Sequence, residues 1–143
     1  MPAKIPQEAH MDIGTQRRLI IEIAAQNLGA TAEYLWPRTP EAFVLRHPAN
    51  GKWFAVVMRV SGPTLGLPTP GEVDVLNVKC SPLLTGSLLA EPGFLPAYHM
   101  NKLHWVSALL DGPLTETALS QLLEMSCQNV APTPKKARKT GVF

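Results

Sequence analysis

Cysteine is scarce: Cys80 and Cys127 are all the chain has, too few for a disulfide framework. Two buried free thiols are the expected state, and a single bridge is the other arrangement that two cysteines allow. Long apolar runs are missing too, and none approaches the roughly 20 residues of a membrane-spanning helix. Lys4, Glu8, His10 and Asp12 interrupt the start of the chain, so no signal-peptide core is expected there. A cytoplasmic protein with no membrane partner is the resulting expectation. Neither a dinucleotide fingerprint nor a glycine-rich phosphate loop is found, and there is no internal repeat. No cysteine or carboxylate stands at ligand spacing beside His99 or His104, so the expectation is no metal and no other cofactor.

What is there suits one folded domain: 143 residues, 45% of them hydrophobic and 17% charged, enough for a single sizeable core. The net charge of +2 hides an asymmetry. Lys135, Lys136, Arg138 and Lys139 carry four of the thirteen positive charges, leaving residues 1–134 with nine positive against eleven negative side chains. The body is slightly acidic and the tail basic, the reverse of a protein that grips nucleic acid through its whole surface. The expected division is a loose lead-in over 1–14, a domain over 15–131 and a basic flexible tail over 132–143.

Helical spacing of Ile20, Ile23, Ala24 and Asn27 predicts a first helix, capped by Asp12 or Thr15 and closed by Gly29. Residues 31–36 and 41–47 read as strands, and Asn50–Gly51 is a hairpin signal. Residues 53–60 form a near-continuous apolar strand, which implies cover on both faces. The glycines and prolines of 61–71 predict a long arm, leading into a strand over 73–78. Ser81 and Pro82 open a short helix to about residue 90, and 105–110 is a strand. Thr115 caps the last helix, whose Leu119, Leu122, Leu123, Ser126 and Val130 share one face. The expected architecture is α+β: a single two-layer domain, its central antiparallel sheet flanked by helices, in the order α-β-β-β-β-α-β-α.

Chemistry concentrates in residues 96–105, Pro-Ala-Tyr-His-Met-Asn-Lys-Leu-His-Trp, a loop feeding a strand, where a rigid scaffold can present side chains. Three blocks in order, Asn77-Val78-Lys79-Cys80-Ser81-Pro82, then residues 93–105, then Leu110-Asp111-Gly112, resemble the MmcQ/YjbR family. Weaker similarity extends the match over about residues 15–130. The resemblance implies a sheet-and-helix fold often compared with frataxin-like or secretion-chaperone-like folds, and a DNA-binding role. Where the family usually has a basic, an acidic and an aromatic residue, this chain has Leu103, Ser81 and Cys127.

The leading functional expectation is a non-enzymatic DNA-binding protein, weak and largely sequence-independent. Its candidate binding residues are Lys79, Tyr98, His99, Asn101, Lys102, His104 and Trp105, with none assigned to catalysis or metal. Asn101 and Lys102 are the side-chain types that reach base edges and phosphates. One alternative is a protein-interaction module using the arm 61–71, whose Leu65 and Leu67 are uncharged, together with the sheet. Another is a small-molecule site at the Tyr98–His104 loop. Cys80, His99 and Asp111 are the residue types of a nucleophile, base and orienter, while a plain buried cysteine is the commoner state. His99 and Asn101 are expected to be mostly buried, bonding loop backbone near the second helix, with Lys102 pointing to water.

Overall fold

The computed structural model describes residues 12–110 and 112–132; Asp111, the lead-in before Asp12 and the basic tail from Lys135 lie outside the described residues. Helix α1 (Ile13–Asn27) begins at Asp12, whose carboxylate accepts the Thr15 N–H at 2.7 Å, so of the two candidate caps Asp12 is used. Strands β1 (Phe43–Arg46), β2 (Trp53–Ser61) and β3 (Glu72–Lys79) follow. Helix α2 (Pro82–Leu89) starts at the Ser81 cap, β4 (Phe94–Pro96) and β5 (Trp105–Leu109) come next, and α3 (Glu116–Asn129) starts at the Thr115 cap. The five strands form one sheet in the order β1-β2-β3-β5-β4, every pair antiparallel.

The α+β class is as the sequence implies, but the element order is α-β-β-β-α-β-β-α. Residues 31–36 do not form a strand. They make one bridge, Glu33 with Val44, through reciprocal N–H to C=O bonds of 3.0 Å. The fifth strand is instead β4, three residues long and ending in a proline, too short for an alternating pattern to show.

Register sorts the side chains into faces. Phe43, Val57, Leu76 and Ala108 lie abreast across four strands, as do Leu45, Ala55, Val78 and Val106. Both rows join Ile20, Ile23 and Ala24 of α1 and Leu119, Leu122 and Leu123 of α3 in one buried cluster. Burying a leucine of this kind contributes about 1.5–3 kcal/mol, so the stripes on α1 and α3 set where the helices dock.

The expected long arm is folded on itself. Gly62 donates to Gly71 O at 2.9 Å and accepts from the N–H groups of Leu65 and Leu67, closing a compact loop with a 3-10 turn at Pro63–Leu65. A Cβ on Gly62 would sit 2.5 Å from Thr69 O, so glycine is required there. Leu65 and Leu67 are half-buried rather than held out.

At the same end of the sheet, buried Asp74 is clasped by two arginines. Arg17 of α1 donates through Nε at 2.6 Å and Arg59 of β2 through Nε at 2.8 Å, while Arg17 also donates to Glu41 O at 2.8 Å. Burial pushes the Asp74 carboxyl up, but the bonds and charges of Arg59 and Arg17 outweigh it and hold it below the usual carboxylate range. The same bond and charge push Arg59 above its ordinary value.

Candidate binding groove and basic edge of the sheet

The face of the sheet away from α1 and α3 is also covered, as the apolar run at 53–60 implies: Val44, Val56, Val75, Asn77 and Ser107 on it are buried. The two polar groups satisfy one another. Ser107 Oγ donates to Asn77 Oδ1, and Asn77 Nδ2 donates to Val56 O at 3.1 Å.

A bulge in β2 decides what this face displays. Pairing steps from Leu45–Ala55 to Arg46–Trp53, leaving Phe54 as an extra residue. Phe54 and Ala55 therefore both join the helix-side core, and Trp53 turns to the other face. The bulged backbone is not left unpaired. Ser126 of α3 donates its hydroxyl to Phe54 O at 2.5 Å and accepts the Lys79 N–H at 2.7 Å.

Trp53 meets Trp36 edge to face, with ring centroids 5.9 Å apart. These two rings form one wall of a groove of about 360 Å³. Val56, Met58 and Val60 of β2 make its floor, and Tyr98, His99 and Met100 of the β4–β5 loop its other wall. Tyr98 and His99 lie against each other, centroids 3.9 Å apart. His99 has φ of 61°, a left-handed backbone that is uncommon for a residue with a side chain. Arg59 also borders the groove, and among the described residues no carboxylate lines it.

Beside the groove, four strand ends bring cations and aromatic rings together. Arg46 and Trp53 are paired across β1 and β2, with the guanidinium 5.9 Å from the indole centroid. Lys79 and Trp105 are paired across β3 and β5, with Nζ 6.0 Å from the ring. Three strand spacings of ~4.8 Å put β1 about 14 Å from β5. Exposed Lys52 and Lys102 lie on the turns that open β2 and β5 at this edge. Glu33 offsets Arg46 in part, 3.1 Å from its Nε, whereas Glu41, Glu72, Asp74 and Glu91 belong to the opposite strand ends.

Five of the seven residues singled out from sequence divide between the two features, and His104 and Asn101 belong to neither. Tyr98 and His99 line the groove; Lys79, Lys102 and Trp105 belong to the basic edge, with Trp105 only 8% exposed. Half-buried His104 gives its carbonyl to the Cys80 N–H at 2.8 Å. The expected burial of His99 and Asn101 is corrected: both are exposed, and Lys102 is exposed as anticipated. Asn101 does bond loop backbone, accepting the Leu103 N–H at 2.9 Å. The longer-range tie to α2 comes from Thr85, whose hydroxyl donates to Leu103 O at 3.2 Å. The short loop closes its own turn, so its side chains need not be buried to satisfy it.

Both thiols are free and buried. Cys80 Sγ lies 2.9 Å from Thr85 Oγ1, whereas His99 is exposed on the groove wall, so the geometry does not join them as nucleophile and base. Burial pushes the Cys127 thiol up. Among the described residues no three His, Cys, Asp or Glu side chains cluster as metal ligands, and no helix is long and apolar enough to cross a membrane.

Sequence reasoning missed Trp36, Trp53, Met58 and Arg46. Two tryptophans on either side of β1 are the only trace of this wall in the sequence, because the bulge that turns Trp53 outward leaves no mark in the hydrophobic pattern.

Comparison with known proteins agrees with this architecture. The chain is 36% identical over 110 residues to the Bacillus subtilis protein YyaQ, covering 77% of this chain and 93% of that one. A crystal structure of a Pseudomonas syringae protein matches with a TM-score of 0.76 and 37% identity, over 80% of this chain and 98% of the other. A Deinococcus radiodurans protein, 20% identical with a TM-score of 0.58 over 84% and 83% of the two chains, shares the fold. The YjbR family model matches residues 27–128, which takes in β1 to β5 and nearly all of α3: the chain belongs to the YjbR family.

Proposed function

We propose that this protein binds nucleic acid through the basic edge and the face beside it, weakly, with strong salt dependence and little regard for sequence. The observation that supports this most is the alternation of cation and ring across four strands: Arg46 on Trp53 and Lys79 on Trp105, with Lys52 and Lys102 beside them. Lysines and arginines near phosphates release counterions and supply sequence-indifferent affinity, and the half-buried Trp53 ring offers a stacking surface. The slightly acidic body is compatible with this, because the acids Glu41, Glu72, Asp74 and Glu91 lie at the far strand ends.

The test is a titration of a fluorescently labelled oligonucleotide at several salt concentrations, using the full chain, a form ending before Lys135, and Lys79→Ala. Binding is expected to survive loss of the tail, with a slope of log K against log salt of about −3 for a single strand from the four edge cations. Lys79→Ala should make the slope shallower. Retained binding only in the full chain would place the activity in the tail and refute the reading for the folded body.

A further inference from the structure

We infer that the groove on the covered face holds an unpaired base of a single-stranded nucleic acid whose backbone runs along the basic edge, which makes the single strand the preferred ligand; this rests on the nucleic-acid reading above. Four observations converge on that occupant. The groove, about 360 Å³, has a volume suited to a small organic group, in the range of roughly 300–1,000 Å³ typical of ligand sites. Its two walls are aromatic, Trp36 with Trp53 on one side and Tyr98 with His99 on the other, and its floor is aliphatic. Such a slot favours a flat ring, and each base has a π-face that stacks regardless of sequence. Bases in a duplex already have their faces stacked and cannot enter without being flipped out, whereas single-stranded bases are free to do so.

Charge and continuity supply the rest. Among the described residues no carboxylate lines the groove, and the one guanidinium at its border, Arg59, is already paired with Asp74, so the lining sets no negative charge against a group attached to a phosphate. Trp53 belongs to both features: its ring forms part of the groove wall and also lies under Arg46. A base seated against Trp53 would therefore leave its phosphate next to Arg46, with Lys79 further along the edge. His99 fits the same picture. Its left-handed backbone, φ 61°, sets an exposed imidazole on the wall, the kind of local conformation that occurs at ligand clamps.

The experiment titrates the full chain with a thymidine octamer, with a GC-clamped duplex long enough to stay paired at low salt, and with thymidine monophosphate, following tryptophan emission and anisotropy of the labelled strands at low salt. Trp36 and Trp53 line the groove, so the octamer should quench tryptophan emission and bind at least fivefold more tightly than the duplex. Trp53→Leu should remove the preference and most of the quench. Tyr98→Ala, in the loop outside the sheet, serves as the second variant should Trp53→Leu unfold, and circular dichroism confirms folding of each. Equal binding of octamer and duplex without quenching would overturn the groove proposal and leave the broader reading standing. Absence of binding to every nucleic acid would remove the reading beneath it. Saturation by the monophosphate at the octamer's affinity would show a free-nucleotide site instead, and would likewise overturn the single-strand assignment.

Discussion

The two ends of the sheet use arginine in opposite ways. At the end where β2 finishes and β3 begins, Arg17 and Arg59 both turn onto Asp74, which is 2% exposed, and Arg17 spends a further donor on Glu41 O. At the other end Arg46 lies over Trp53 and meets Glu33 where both are well exposed, and Lys79, Lys52 and Lys102 have no such clasp described. A cation that neutralises a buried carboxylate holds a structure together, because neither partner can be removed without stranding the other. Charges poised over an indole and open to water add little to stability and remain available to a partner. The same residue type therefore says little about role until burial is known.

The largest test of this contrast is Asp74→Asn. It removes the charge shared by two guanidiniums, so a loss of about 3 kcal/mol is expected, seen as a drop in Tm on the order of 10 °C with oligonucleotide binding at permissive temperature unchanged. A pH series sharpens the point. Because Asp74 is held below its unfolded value of about 3.9, the folded state binds fewer protons than the unfolded state in the window beneath that value. Its contribution is therefore complete above about pH 4 and disappears as the pH falls through the depressed folded value. Urea melts of the parent chain should show that acid limb, and Asp74→Asn should flatten it. A variant with an undiminished limb would mean that another carboxylate carries it.

Ser126→Ala comes next, at the basic end but structural in kind. It leaves Phe54 O and the Lys79 N–H without their shared hydroxyl, and a cost of about 2 kcal/mol is expected from denaturant unfolding. If the bulge depends on that bond, Trp53 emission should also shift in the folded variant. Lys79→Ala should change stability by no more than about 0.5 kcal/mol while making the single-strand salt slope shallower by about 0.7. The smallest effect belongs to His99→Ala. An exposed side chain outside the hydrogen-bonded loop closure should shift stability by less than about 0.5 kcal/mol. A loss well beyond that would show that the imidazole braces the loop.

Local signals read well wherever the decisive contacts are near in sequence. Asp12, Ser81 and Thr115 cap the helices they precede, each accepting an N–H three residues on. The face of α3 is buried as its spacing predicts, and Asn50–Gly51 turns the first hairpin with Gly51 at φ 76°. Strand identity fared differently because it depends on a distant partner. Residues 31–36 have strand-like composition but meet β1 at a single bridge, while Phe94–Pro96 becomes a strand because β5 is there to receive it. The groove was legible only on its Tyr98–His99 side, where polar groups are dense. Its opposite wall depends on a one-residue bulge, and a single inserted residue changes facing without altering composition.

The sheet's margins have a consequence for how copies of this chain meet. β1 is four residues long and has Glu33 bridged to its outer side, and β4 ends in Pro96, which offers no N–H to any neighbour. Open edges of flat sheets are where molecules polymerise side by side. Here one border is occupied and the other is three residues long with a missing donor, so strand-to-strand fibre growth has no template of useful length. Concentrated solutions of the folded protein should accordingly resist amyloid-type association, despite a sheet apolar on both sides.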